Sequence, residues 1–149
     1  RALTVPREAV ALTRDARARF REALSQRPTS PFLWANLALA KLYLDEIDSE
    51  FFAALRYADM LGPWEPMVQQ MTVFLGLAVW QHLDPAMRQA LVRTLERGAF
   101  RNAEKMVQIV RSYRRFDLIC GNSKYNPIVG QECGKNLGNS GPSQPQHRR

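Results

Sequence analysis

Between Ser30 and Pro63 the chain alternates two blocks of helix-spaced positions with short polar interruptions. Trp34, Leu37, Ala38, Lys41 and Leu42 recur at steps of three and four, one face of a helix. Ser30 before Pro31 opens that helix: a side-chain oxygen at the N-cap, then proline where its missing N–H costs nothing. The acidic run Asp45, Glu46, Asp48 breaks the pattern. Asp48 can cap a second helix whose first turn carries Glu50, and Phe51, Leu55 and Ala58 stripe it. Gly62-Pro63 closes it, glycine tolerating a left-handed cap and proline unable to continue. The spacing predicts an antiparallel helical hairpin over 30–63.

The flanks read the same way. From Pro6, the positions Val10, Leu12, Ala16, Phe20, Ala23 and Leu24 make the buried stripe of a helix over 5–27. Glu65-Pro66 opens another, where Met71, Phe74, Leu75, Ala78, Val79 and Leu83 are apolar on more than one side; such a helix lies between two neighbours. Asp84-Pro85 starts the next, with Met87, Leu91, Val92 and Leu95 inward and Gly98 as its stop, completing a unit over 65–98. A terminal helix over 101–119 carries Met106, Ile109, Val110, Tyr113 and Phe116 on one side. That makes about six helices and no period-two strand, an all-α chain.

The 30–63 hairpin resembles a tetratricopeptide repeat (TPR), a unit of about 34 residues. Trp34, Leu37 and Ala38 match the first-helix pattern, and Leu55, Ala58 and Pro63 match the second. Ala16, Phe20, Ala23 and Pro28 repeat that second-helix spacing. Lys41 departs from the aromatic the family prefers, the inter-helix turn is about one residue longer, and Phe51 replaces an alanine. The resemblance implies stacked hairpins forming a short right-handed superhelix with a concave groove. Since the sequence opens at Arg1, the first half of the first repeat is expected to precede it.

In that frame the groove would be lined by Phe32, Ala35, Asn36, Leu39, Leu42 and Tyr43 of one unit and by Met67, Gln70 and Phe74 of the next. The resemblance implies that Asn36 could hold an extended ligand's backbone. A basic clamp for a terminal carboxylate is missing, because Lys41 is the only basic residue of the first helix. An apolar or amphipathic helix of a protein partner is therefore the expected ligand. WANLALAKLYL and LGPWEP also resemble short proteobacterial TPR-like proteins of envelope polysaccharide or surface assembly.

After Cys120 the composition shifts. Residues 121–149 hold five of the eight glycines and almost no large apolar side chains, too little to offset the entropy of ordering. They are expected to form a flexible, irregular tail with an ordered start at Tyr125 to Val129. The two cysteines, Cys120 and Cys133, form a candidate disulfide that would pin the tail's start by about 3 kcal/mol and place the chain in an oxidising compartment. Two unrelated thiols in a reducing cytosol are the alternative. With the open start, the pair favours a periplasmic domain, free or anchored, over a cytoplasmic one.

With 149 residues and 46% apolar side chains, one domain plus a tail is the expected organisation. No apolar run of about 18 residues is present, so no membrane span is predicted. The net charge of +7 is uneven: residues 1–28 carry seven arginines against three acids, whereas residues 29–100 carry five basic against eight acidic groups. Lys105, Arg111, Arg114 and Arg115 form a basic patch on the terminal helix. It suggests an alternative function, binding RNA or another anionic polymer with Tyr113 stacking, set against the favoured plain solvated face whose arginine stems cover apolar surface.

Catalytic chemistry has little to rest on. Asp45, Glu46, Asp48 and Glu50 sit together in a turn, where acids act as caps, although lytic-type helical hydrolases do use a lone Glu and Glu50 is a formal candidate. His82 has no nucleophile motif around it. CxxC pairs, metal boxes, phosphate loops and nucleotide fingerprints are missing from the sequence, so no cofactor or metal is predicted and the chain is read as a non-enzyme.

Overall fold

The computed structural model describes residues 6–120 and 127–139. All regular structure in it is helical. Helices α1 (Arg7–Gln26), α2 (Pro31–Tyr43), α3 (Ser49–Leu61) and α4 (Pro66–Ala78) are followed by a 3₁₀ turn at Trp80–His82. Then come α5 (Pro85–Ser112), the short α6 (Asp117–Cys120) and α7 (Pro127–Asn139).

The starts are where capping chemistry puts them. Ser30 Oγ accepts from Leu33 N at 3.4 Å, Asp48 from Phe51 N at 3.0 Å, and Asp84 from Met87 N at 2.7 Å. The Ser30 and Asp84 caps are each followed by proline at the first helical position. Helix α2 packs on α1, α3 and α4, and α4 packs on α2, α3 and α5. The shared core draws Leu37 and Ala38 from α2, Phe51 and Leu55 from α3, Val73 and Leu75 from α4, and Leu91 and Leu95 from α5. Helix α4 thus lies between the α2–α3 hairpin and α5, as its apolarity on more than one side predicts.

Several expectations need correction. Gly62 is not in a left-handed conformation: its φ is −128°. Glycine is needed there for space, because a Cβ would come within 2.7 Å of the Pro31 ring. Gly98 does not end a helix either. The helix runs on to Arg101 and breaks at Asn102 (φ −144°, ψ 61°), and a Cβ on Gly98 would strike the Met106 side chain from beyond the break. The two halves of α5 close on each other through that glycine.

The terminal helix stops at Ser112 rather than running to Ile119. Arg114 adopts a positive φ of 55°, and Arg115 N returns to Val110 O at 2.8 Å while Arg114 N returns to Arg111 O at 3.0 Å. That hydrogen-bond pair is a Schellman cap, and α6 follows in a new direction. Asp45 (φ 58°) makes the same motif between α2 and α3.

Within the segment expected to be irregular, Pro127–Asn139 is a helix. It is held by a Cys120–Cys133 disulfide (Cα–Cα 5.6 Å), by Val129 and Cys133 buried four residues apart, and by an Arg111–Glu132 ion pair at 2.5 Å. Composition could not announce it, since the stabilisation is tertiary and covalent. Tyr125, at the expected ordered start, lies outside the described residues.

Candidate functional site

The acidic turn between α2 and α3 is a docking point for α1. Arg17 pairs with Glu46, and Arg21 makes a forked pair with Glu50 at 2.6 and 3.0 Å. Lys41, at 1% exposure, extends its stem through the core and places Nζ 2.9 Å from Asp48 and 2.6 Å from Glu50. So the residue that departs from the aromatic of the TPR pattern joins the two helices by charge. The Arg21 hydrogen bond, aided by Lys41 against burial, holds the Glu50 carboxyl below its ordinary range. For Lys41, burial pushes down, but Glu50 and Asp48 outweigh it and hold the amine above its usual value. Two cations thus hold the Glu50 carboxylate at the junction of α1, α2 and α3.

Above that junction, α1 and α2 leave an open hollow of about 260 Å³. Leu12, Ala16 and Phe20 line it from α1, and Asn36, Leu39 and Tyr43 from α2. Leu12 is 69% exposed and Tyr43 59%. Leu12 thus belongs to an open face rather than to the buried stripe. The row Leu12, Ala16, Phe20, each four residues apart, was the available signal that α1 contributes to this face.

The other groove candidates separate. Phe32 and Met67 are exposed, whereas Ala35 is fully buried with Ala58 and Val68 where α2, α3 and α4 meet. Ala35 cannot touch a ligand: its small side chain is what lets the helices approach. Leu42 packs against the main core, and Gln70 is half-buried. Phe74 packs on Tyr113, ring centroids 5.8 Å apart. Burial, with a smaller push from Tyr43, raises the Tyr113 hydroxyl pKa.

A second hollow, of about 180 Å³, opens between α3 and the start of α5. Leu55, Leu83, Met87 and Leu91 form its apolar wall, with Arg56 and Asp84 among its polar residues. It escapes sequence reading because its residues come from three helices whose relative placement no local pattern states.

The basic patch is partly engaged. Arg115 lies over the Trp80 ring (4.7 Å to the centroid) and pairs with Asp117, while Arg88 lies near the same ring at 5.1 Å. Arg111 pairs with Glu132 beside Phe116. Lys105 and Arg114 are exposed. The guanidinium groups of Arg111 and Arg115 thus lie over aromatic rings as well as beside carboxylates.

Among the described residues no cluster of three or more His, Cys, Asp or Glu could hold a metal, and no helix is long and apolar enough to cross a membrane. No protein-family model, curated protein or solved structure matches the chain.

Proposed function

We propose that this chain is a protein-interaction module, a short TPR-like array whose α1–α2 hollow receives an apolar or amphipathic helix of a protein partner. Leu12 and Tyr43 carry this reading: both are more than half exposed, and they share one depression with Leu39 and Asn36. Large side chains gathered open around a concavity gain most when a partner desolvates them. A helix presenting residues at three- and four-residue steps fits a trough between two helices. The repeat reading draws support from the packing order, since α2 meets α1, α3 and α4, and α4 meets α5, as stacked hairpins do. The disulfide supports an oxidising compartment, and with it a role in envelope assembly.

The anionic-polymer alternative has less behind it, because Arg111 and Arg115 already have carboxylate partners. Single-stranded RNA is expected not to bind even at low salt; binding that weakens steeply as salt rises would revive it.

The groove is tested by exposing the immobilised chain to envelope and cytosolic fractions beside its Leu39→Glu and Tyr43→Ala variants. A groove ligand is retained by the parent chain and lost at least about tenfold by both variants. Retention indifferent to both substitutions removes the assignment.

A further inference from the structure

We propose that the Cys120–Cys133 disulfide is a redox latch that decides whether α7 is folded against the rest of the molecule. Helix α7 has only 13 residues, and three of them, Gly130, Gly134 and Gly138, are glycine. Each glycine lowers helix population about fivefold relative to alanine, and helices this short are marginal in water even when alanine-rich. Nor are these glycines repaid by close packing: a Cβ built on Gly130 or Gly134 meets no atom within 4 Å. Its tertiary contacts run to α5 and α6. Val129 and Cys133 are the buried side chains among residues 127–135, and the Arg111–Glu132 pair involves an arginine 52% exposed, an interaction of small worth.

The covalent link offsets that low helix propensity. Closing a loop between cysteines 13 residues apart shifts the ordered-to-disordered ratio by roughly a hundredfold, comparable to the deficit of three glycines. The reverse step balances with a dithiol reductant. Its thiolate attacks the sulfur of Cys120, the partly exposed half of the pair, and expels the Cys133 thiolate, which takes a proton. The second reductant thiol then resolves the mixed disulfide. The dithiol is oxidised, and the chain gains two electrons and two protons as two thiols. Released, α7 withdraws Val129 and Cys133 from the core and from its packing on α5 and α6.

Hydrogen exchange of the whole chain, oxidised and after dithiothreitol, tests this. Amides of residues 131–135 are expected to exchange at least about tenfold faster in the reduced chain, with α1 to α5 unchanged within about twofold. Unchanged exchange at 131–135 would overturn the proposal, and so would loss of protection throughout, which would make the bond a global staple. Substituting both Gly130→Ala and Gly134→Ala, where space is open, is expected to restore about tenfold protection to reduced α7. If reduced α7 in that variant exchanges as fast as in the parent, weak helix propensity is not what makes the disulfide decisive, and the latch is refuted.

Discussion

At the scale of single residues, two left-handed positions stand out because neither is glycine. Asp45 and Arg114 each occupy the C′ position of a Schellman cap with φ of 58° and 55°. A left-handed residue with a side chain costs about 1–2 kcal/mol, partly offset by the extra entropy glycine loses on folding. Arg114→Gly is therefore expected to raise stability by about 0.5–1 kcal/mol, read as a higher urea midpoint at constant slope. Asp45→Gly should gain less, since aspartate tolerates the region better. Gly62 predicts the reverse. Its φ suits any residue, so Gly62→Ala brings no backbone strain, yet the new methyl must displace the Pro31 ring that starts α2. A loss of about 1–3 kcal/mol is expected in the same urea measurement. The caps at Ser30, Asp48 and Asp84 were legible because a cap is a contact spanning three residues. The meaning of Gly62 was not, because Pro31 is distant in sequence.

Elements join here through charge as well as apolar burial. The positive start and acidic middle of the chain read as separate surface fields, yet Arg17, Arg21 and Lys41 converge on Glu46, Asp48 and Glu50 and fasten α1 to the α2–α3 hairpin. The Lys41 stem fills core space while its ammonium meets partly exposed acids, so stem and charge can be separated by mutation. Lys41→Met keeps the volume and is expected to change stability by less than about 1 kcal/mol. Lys41→Ala removes buried methylenes and should cost about 2–3 kcal/mol. Thermal unfolding of the two variants side by side checks this, and equal losses would make the charge, not the stem, the main contribution. The expected boundary between two helices, after Gly98 and before residue 101, lies close to the observed break at Asn102, but the second half ends at Ser112 with the Arg114 turn rather than at Ile119.

Across the molecule, the same ion network makes stability depend on pH. Glu50 and Asp48 titrate below their ordinary values in the folded chain: Arg21 leads for Glu50, and for Asp48 the Phe51 N–H and Lys41 overcome burial. Asp117 is likewise lowered, chiefly by Arg115. A depressed carboxyl contributes stability that is complete above its unfolded pKa, about 4, and is lost as pH falls through the folded value. Lys41 is raised, so its share is complete below its unfolded value, about 10.4, and is lost as pH rises through the folded one. Urea midpoints should thus hold steady between about pH 5 and pH 10 as far as these groups decide, and fall on acidification. Glu50→Gln should lower the plateau and flatten the acid limb; an unchanged acid limb would mean that Glu50 is not a main contributor to it.

Local periodicity determined that this chain is all-α, where four helices start, and that α4 packs against neighbours on more than one side, since these follow from steps of three and four and from contacts a few residues long. It also placed Asn36, Leu39 and Tyr43 on one face. Only tertiary structure decided that Ala35 is sealed under α3 and α4, that Leu12 and Phe20 complete the hollow, and that arginines of the basic patch lie over Trp80 and Phe116. It alone decided that a glycine-rich segment becomes helix α7. The reason is physical: burial and covalent closure depend on atoms brought together from distant parts of the chain, whereas helix spacing and capping act between neighbours along it.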